Sequence, residues 1–403
     1  MRTKIKNGRI ITPYRMIPNG CLCIENGKIC ELSEIDIDFP DAEVIDALGH
    51  YVSPGFIDLH IHGGGGSDFM DGTVEAFLHI AEAHVRFGTT AMYPTTTTTS
   101  NEDLLKIFDL YRQAKALNNK GAAFLGIHIE GPYFAMNKRG AQDPAFICNP
   151  HPDNYMPLLD ATNDIARWSM APELPGIKKF AETLVARNIM PSIAHSDAIY
   201  EEILPAIDWG FRHVTHLYSC TSVVTRRNCF RYAGIVETAF LMDNLTVEII
   251  ADGVHLPKSL LQLVYKNKGA GAIALITDSI RAAGMSEDSI FAGSLCNDRE
   301  LILEDGVAKL ADRTALAGSI VTADGLIRTM LTLAQTPLLE TVQMLTSTPA
   351  RIMGIDKTKG SLTKGKDADI VIFDDNINVK LTMINGQTIS NNGIPAVANN
   401  MFF

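Results

Sequence analysis

Residues 54–63 read Pro-Gly-Phe-Ile-Asp-Leu-His-Ile-His-Gly, an apolar run of strand length that ends in two histidines. Residues i and i+2 of a strand point to the same side, so the imidazoles of His60 and His62 can bind one ion together. Seven further apolar runs follow, each ending at a polar, Gly or Pro break before a stretch with helical spacing. The eight runs cover residues 55–62, 89–95, 124–130, 167–171, 190–195, 213–217, 247–251 and 272–277.

Eight strand-then-helix units in a row are typical of a parallel (β/α)8 barrel of the TIM type. Strands of such a barrel are buried on both faces and therefore read as continuous apolar runs. The pattern predicts an α/β fold with a barrel over residues 53–355. A doubly wound parallel sheet is the structural alternative.

The two ends of the chain differ from this pattern, because their sequence predicts short strands joined by tight turns. Asn26-Gly27 and Asn385-Gly386 mark hairpins between alternating apolar segments. We expect residues 1–52 and 356–403 to form one small β-sandwich domain, which the chain leaves and re-enters.

Composition narrows the class of protein and of partner. The chain is 46% hydrophobic and 20% charged, as in an ordinary globular protein, and its net charge of -11 argues against general binding of nucleic acid. No apolar run approaches the roughly 18 residues of a membrane helix, and the first residues lack the apolar stretch of a secretory signal. An odd number of cysteines without a CxxC pair favours a reducing cytoplasm. They are Cys21, Cys23, Cys30, Cys148, Cys220, Cys229 and Cys296.

Polar residues at the ends of the later runs carry the chemical signal. Glu130, His195, His216 and Asp278 fall there, as His60 and His62 do in the first run. Catalytic groups of such barrels come from the carboxyl ends of several strands, and imidazole with carboxylate suits zinc, iron or another divalent transition metal. A single buried histidine is usually a hydrogen-bonded core residue, but the joint pattern predicts a metal site. The remaining candidates are interpreted as surface or core residues: His50, His79, His84, His128, His151 and His213.

Asp278 is the best candidate for the proton-transferring group of a metal-dependent hydrolase. A divalent ion lowers the pKa of bound water and polarises a carbonyl, while a carboxylate takes the proton and returns it to the leaving group. The alternative for Asp278 is an N-cap for a following helix.

The motifs together resemble the amidohydrolase superfamily, and within it the N-acetylglucosamine-6-phosphate deacetylases. The resemblance covers nearly the whole chain and rests on PGFIDLHIHG (54–63), GIHIEGPYF (126–134), SIAHSD (192–197), VTHLYS (214–219), IIADGVHL (249–256), LITDSIRAAG (275–284), LAGSIVT (316–322) and KGKDADIVIFD (364–374). It implies that Glu130, His195 and His216 bind one metal ion. It also implies that His60 and His62 allow a second ion and that Asp278 is the catalytic acid and base.

Substrate contacts are implied by the same resemblance. His255 matches a histidine that contacts the substrate near its phosphate end, and Gln142 stands where many members have a histidine that polarises the acetyl carbonyl. A glutamine amide can still donate a hydrogen bond there.

The chain departs from the family after His216, where Ser219 and Cys220 replace an asparagine and an alanine. The phosphate-binding arginine is Arg227 by spacing from His216, or Arg231 by spacing to Gly234. The alternative for these arginines is a solvated surface turn.

The resemblance implies deacetylation of N-acetylglucosamine 6-phosphate in a cytoplasmic homodimer or larger homo-oligomer. Two alternatives remain open at this stage. One is the same chemistry on another N-acyl amino sugar or an N-acyl amino acid. The other is a scaffold protein without activity, against which the complete ligand set and Asp278 argue.

Overall fold

The computed structural model describes residues 1–285, 294–295, 299–394 and 396–397. Cys296 and the last residues of the predicted C-terminal segment, 398–403, lie outside the described residues. Among the residues described, no helix has the length and apolar character needed to cross a membrane.

Strands from both ends of the chain pair in one nine-stranded sheet, which we call the terminal sheet. Ile370–Phe373 runs antiparallel to Tyr51–Pro54, and Ala396–Val397 runs antiparallel to Glu43–Asp46. Apolar side chains from both ends therefore share one small core. The strands are Arg2–Ile11, Met16–Glu25, Lys28–Ser33, Glu43–Asp46, Tyr51–Pro54, Ile370–Phe373, Val379–Ile384, Gln387–Asn391 and Ala396–Val397.

Parallel strands in two further sheets make up the centre of the molecule. One sheet contains Phe56–Ile61, Thr89–Pro94 and Ala123–Phe124. The other contains Ile127–Glu130, Ile165–Met170, Met190–Ile193, His213–Val214, Thr246–Ile250 and Ile273–Ile276. Both keep the order of the strands along the chain, without the reversal of a doubly wound sheet.

The third predicted strand, 124–130, is interrupted. Ala123–Phe124 pairs with the preceding strand and Ile127–Glu130 with the following one. Gly126 lies between them at a φ of 152°, and a Cβ there would meet the Ala166 Cβ at 2.6 Å. Only glycine fits this position without strain, so the apolar run is one segment in sequence and two strands in space.

Hydrogen bonds join the two parallel sheets at both edges. The Thr96 N–H donates to the His128 carbonyl at 3.0 Å at one edge. At the other, the Asp278 N–H donates to the His60 carbonyl and the His62 N–H to the Ser279 carbonyl, both at 2.9 Å. The result is a curled parallel sheet whose carboxyl strand ends meet.

Helices cover the outer face of the curled sheet. Thr73 and Ser100 cap two of them through their hydroxyls, which accept the N–H groups of Ala76 and Asp103. Buried aromatic rings fill the contact, as where Phe180 packs edge-on against Trp168 with centroids 4.9 Å apart. The helices are Val74–Val85, Asn101–Leu117, Pro152–Ala161, Ile177–Ala186, Tyr200–Asp208, Ile235–Leu241, Lys258–Lys268, Ala323–Thr329, Leu338–Leu345 and Ser347–Ile352.

A two-stranded hairpin, Thr225–Arg227 with Phe230–Tyr232, follows the strand that leads to His216. Short elements elsewhere complete the described chain. They are the strands Gly63–Gly64, Ser67–Asp68, Ser294–Leu295, Arg299–Glu304 and Val307–Leu310, the 3-10 turns Phe69–Asp71, Met136–Lys138 and Ala270–Ala272, and the π-helical turn Met330–Ala334.

Gly55 joins the terminal sheet to the first parallel strand, and we predict that Gly55→Ala destabilises the fold. Its N–H donates to the Asp369 carbonyl at 2.8 Å, and an added Cβ would meet the Thr90 hydroxyl at 2.1 Å. Overpacking of this kind costs about 1–3 kcal/mol, so the melting temperature should fall in calorimetry. Gly271→Ala is the control, because the one atom near its Cβ is the flexible Gln343 amide at 3.8 Å. Equal melting temperatures for the two variants would contradict the close packing of Gly55 against Thr90.

Candidate active site

The polar residues predicted at strand ends meet at the carboxyl edge of the curled sheet. His60 and Glu130 lie at the ends of their strands, and His195, His216 and Asp278 each follow two residues after theirs. All are buried, from 0% exposure for His60 to 8% for Asp278. Because parallel strands end at one edge, residues far apart in sequence form one cluster.

The Glu130 carboxylate lies at the centre of this cluster. Its Oε1 is 2.9 Å from His216 Nε2, 3.3 Å from His195 Nε2 and 3.5 Å from His60 Nε2. Its Oε2 is 3.5 Å from His62 Nε2. Four imidazoles thus face one carboxylate through the same ring nitrogen.

Asp278 faces the histidine pair from the other side. Its Oδ1 lies 3.2 Å from His62 Nε2 and 3.5 Å from His60 Nε2. Among the residues that the structure describes, two groups have ligand atoms within 4.8 Å of one another: His60, His62 and Asp278, and His60, Glu130 and His216. His60 belongs to both groups, whereas His195 joins the second only through its contact with Glu130.

The outer nitrogens of these histidines show that the donor set fits a metal ion. Nδ1 of His62 lies 3.2 Å from the Thr95 carbonyl, and Nδ1 of His216 lies 3.1 Å from the Ser219 carbonyl. His195 Nδ1 lies 2.8 Å from the Lys138 carbonyl. A carbonyl only accepts, so each Nδ1 carries a proton, and loss of the second ring proton would leave each Nε2 with a lone pair directed at the cluster.

Backbone strain marks the same positions. His195, His216 and Asp278 have φ values of 46°, 31° and 45°, and Cys220 has 51°. Residues with a side chain rarely adopt this left-handed region, and such strain persists where the surrounding structure enforces it. For Asp278 this conformation turns the chain at the end of the strand, and no helix begins there. The N-cap alternative is therefore not what the structure shows.

Opposite charges hold both acids ionised. Burial alone would raise the pKa of the Glu130 carboxyl, but the facing imidazoles, His60 first, hold it well below its ordinary value. Burial likewise opposes the ionised form of Asp278, and His60 and His62 lower its pKa. In return, although burial disfavours its cationic form, Asp278 and Glu130 raise the pKa of His62 to about 9.

A cavity of about 350 Å³ opens onto this cluster. Its volume lies within the ~300–1,000 Å³ common for small-molecule sites. The lining includes His62, Thr97, Thr98, Glu130, Gln142, His195, His216, Tyr218, Ser219, Cys220, His255, Asp278, Ile280 and the segment 315–318. His60 lies beneath the floor.

Comparison with known proteins agrees with this geometry. Residues 51–389 match the amidohydrolase family. The chain belongs to the amidohydrolase family. N-acetylglucosamine-6-phosphate deacetylase of Bacillus subtilis (strain 168) is 31% identical over 387 residues, which cover 95% of this chain and 96% of that protein. This confirms the resemblance seen in the motifs.

Two other proteins are similar over nearly the whole chain. The crystal structure of N-acetylglucosamine-6-phosphate deacetylase from Pasteurella multocida superposes with a TM-score of 0.90 at 27% identity, covering 97% of this chain and 100% of that one. N-acetylgalactosamine-6-phosphate deacetylase of Escherichia coli O157:H7 is 29% identical over 388 residues, 95% of this chain and 98% of that protein. The amidohydrolase fold is thus shared over nearly the whole chain.

Two of the predicted substrate-binding residues of this amidohydrolase lie on the cavity wall with defined partners. The Gln142 amide donates to Glu130 Oε2 at 2.7 Å and accepts the Thr98 N–H at 2.8 Å. His255 Nδ1 lies 2.6 Å from Asp252 Oδ2, in a pair that is 5% and 6% exposed. Asp252 was not singled out from the sequence, although its position three residues before His255 in ADGVH places it within reach.

Arg227 and Arg231 lie outside the cavity, on the exposed hairpin. Arg227 is 3.5 Å from Glu202 Oε1 and also donates to the Asp197 carbonyl at 3.5 Å. Within the part of the chain that the structure describes, the cavity lining contains neither arginine nor lysine. A phosphate contact from either hairpin arginine therefore stays a prediction.

A buried pair beneath the cluster, Arg167 and Glu248, was likewise not singled out from the sequence. Both side chains are completely buried, and Glu248 lies 3.7 Å from His60 Nδ1. The signal was present, because each charge interrupts an apolar run and a buried charge needs a partner.

We predict that Zn²⁺ stabilises this amidohydrolase and that Glu130→Gln abolishes the effect. An ion that binds only the folded state stabilises it by about 2.7 kcal/mol at a free concentration 100-fold above its dissociation constant. Melting of chelator-treated protein with and without Zn²⁺ measures this. His79→Asn, an exposed histidine on the helix Val74–Val85, should respond like the parent protein. A zinc-induced shift that survives in Glu130→Gln would contradict the assignment.

Proposed function

We propose that this amidohydrolase removes the acetyl group from N-acetylglucosamine 6-phosphate, releasing glucosamine 6-phosphate and acetate. The observation that carries the proposal is the buried cluster in which four Nε2 atoms and two carboxylates meet at the floor of one cavity. The Bacillus subtilis and Pasteurella multocida proteins that it resembles are named for this activity. Hydrolysis of an amide C–N bond is the chemistry that such a donor set supports.

Metal binding in this proposal falls to two adjacent sets of residues. Glu130, His195 and His216 would hold one ion, and His60 with His62 would hold a second, with zinc or iron as the metal in each case. A bound ion would polarise the acetyl carbonyl and lower the pKa of the attacking water.

Asp278 performs the proton transfers. It lies on the cavity side of the cluster and is ionised, so it can accept a proton from the water that attacks the acetyl carbon. The protonated carboxyl then gives this proton to the sugar nitrogen as the C–N bond breaks. Glucosamine 6-phosphate and acetate are then released, and Asp278 is again ionised.

The wall of the cavity would orient the sugar. Gln142 is close enough to Glu130 to donate toward the acetyl carbonyl, whereas Ser219, Cys220 and His255 lie where the ring would rest. We propose that Arg227 or Arg231 meets the phosphate in a homodimer or larger homo-oligomer. Positive charge supplied from the hairpin would complement a cavity lined without arginine or lysine in its described part.

A second candidate keeps the chemistry and changes the sugar. The similar Escherichia coli protein is named for N-acetylgalactosamine 6-phosphate, and Ser219 with Cys220 alters the wall next to His216. Another N-acyl amino sugar or an N-acyl amino acid is therefore the alternative substrate.

The finer architecture belongs to the same proposal. We infer that the two parallel sheets close into a (β/α)8 barrel over residues 53–355, supported by the hydrogen bonds at both edges. The terminal segments 1–52 and 356–403 would form the companion β-sandwich, and a cytoplasmic location stays a prediction.

We predict that Asp278→Asn keeps its metal and loses turnover by about 10²- to 10⁴-fold, because an amide cannot accept and return the proton. Acetate release from N-acetylglucosamine 6-phosphate, with metal content measured on the same sample, tests this. Asp369→Asn is a matched control, since Asp369 is equally buried and lies far from the cluster, directly before the strand Ile370–Phe373 of the terminal sheet.

The parent protein should be assayed in parallel on N-acetylglucosamine, N-acetylgalactosamine 6-phosphate and an N-acetyl amino acid. If N-acetylglucosamine 6-phosphate is not turned over, the primary proposal is refuted. Faster turnover of another compound would favour the second candidate.

We further predict that Asp252→Asn raises KM for the sugar phosphate about 10-fold and leaves kcat within about threefold. Asp252 orients His255, which binds substrate away from the reacting bond, so the loss should be one of uniform binding. Steady-state kinetics measure the split, with the exposed Asp243→Asn as control. A fall in kcat at constant KM would place His255 in the chemical step instead.

A further inference from the structure

A buried pair of opposite charges lies between two strands of the parallel sheet. Arg167 belongs to the strand Ile165–Met170 and Glu248 to the strand Thr246–Ile250, and both side chains are 0% exposed. They lie directly beneath the cluster described above. Neither reaches the cavity, and the reaction proposed for the site uses neither.

Arg167 grips the Glu248 carboxylate with both terminal nitrogens. Nη1 donates to Oε1 and Nη2 donates to Oε2 at 3.1 Å. The same two nitrogens also donate to the Leu59 carbonyl at 3.2 Å and to the Thr215 hydroxyl at 2.9 Å. The guanidinium that holds the carboxylate is thus itself fixed by Leu59 and Thr215, and Glu248 Oε1 also lies 3.1 Å from His213 Nε2.

Stability alone is a weak reason for such a pair. Removing two charges from water costs more than their attraction returns in many proteins, and apolar residues of similar volume often serve the fold better. An effect of the pair on a neighbouring side chain explains its presence better. Its neighbour on the cavity side is His60, whose Nδ1 lies 3.7 Å from Glu248 Oε2.

The four histidines of the site differ in what faces their outer nitrogen. For His62, His195 and His216 the partner of Nδ1 is a backbone carbonyl. His60 Nδ1 forms no hydrogen bond with a described residue, and the group facing it is the Glu248 carboxylate, slightly beyond hydrogen-bond length. His60 is also the histidine shared by both candidate ligand groups.

We infer that Glu248, held in place by Arg167, is a positioning residue for His60. A small rotation of the ring lets Nδ1–H donate to Glu248 Oε2, which leaves the Nε2 lone pair directed at the ion. Carboxylates in this position orient metal-binding imidazoles and make them better donors. The inference rests on the proposed function only in requiring that the site binds a divalent metal ion.

Metal binding to the full-length protein, measured without substrate, tests the inference. Chelator-treated protein is titrated with Zn²⁺ against a competing chelator, and the absorption spectrum of Co²⁺-loaded protein reports the imidazole ligands. In Glu248→Gln we expect the affinity of the ion bound through His60 to fall about 10- to 100-fold, with a changed Co²⁺ spectrum.

Glu248→Gln leaves Arg167 as an unpaired buried charge, so a second variant separates folding from positioning. The double variant Arg167→Met with Glu248→Gln removes both charges, which buried pairs commonly tolerate. We expect it to fold and to show the same loss of affinity. Thr215→Val is the control, because it removes a contact of Arg167 while the carboxylate still faces His60. The zinc affinity of Thr215→Val should stay within about twofold of the parent value, because this substitution leaves the carboxylate in place.

Unchanged zinc affinity and Co²⁺ spectrum in the folded double variant would overturn the inference and leave a purely structural ion pair. A comparable loss in Thr215→Val would overturn it as well, since any disturbance of the layer would then suffice. A parent protein that binds metal but releases no acetate would refute the proposed function and leave this inference standing.

Discussion

Burial of the Glu130 carboxylate is the constraint on which the active centre depends. A charge 2% exposed is stable only if opposite charge or hydrogen-bond donors surround it. Here four imidazoles and the Gln142 amide do so, and they come from four segments of the chain. These segments can meet only because parallel strands end at the same edge of the sheet. The curled sheet therefore brings the partners of the buried carboxylate together.

The same constraint explains where the chain is strained. A strand that simply continued past its end would carry His195, His216 and Asp278 out of the cluster. Positive φ at each of these residues turns the side chain inward, at a cost of order 1–3 kcal/mol each. The packed core between sheet and helices supplies the rigidity that holds these turns. Fold and site are therefore coupled, because the core stabilises conformations that local preference disfavours.

What the sequence could predict follows from which interactions are local. The alternation in His60-Ile61-His62 and the position of Glu130 at the end of an apolar run are local features, and the structure brings these three residues into one cluster. The break at Gly126 could not be seen, because it depends on how close Ala166 on the next strand comes. The position of Arg227 outside the cavity was equally hidden, since spacing along the chain does not say which way a hairpin points.

Glu248 shows a further limit of reading motifs. Its partner Arg167 lies 81 residues away, and the histidine it faces lies on a third strand, so no short motif contains the interaction. The physical signal is a charge inside an apolar run, which says that a partner exists without naming it. In a curled parallel sheet, the partner of a buried charge must be an inward-facing residue of a nearby strand. Which of these residues it is depends on the polar groups at the floor of the cavity. The pair beneath the cluster is thus part of the same electrostatic balance as Glu130, because each buried charge constrains the residues of the next layer.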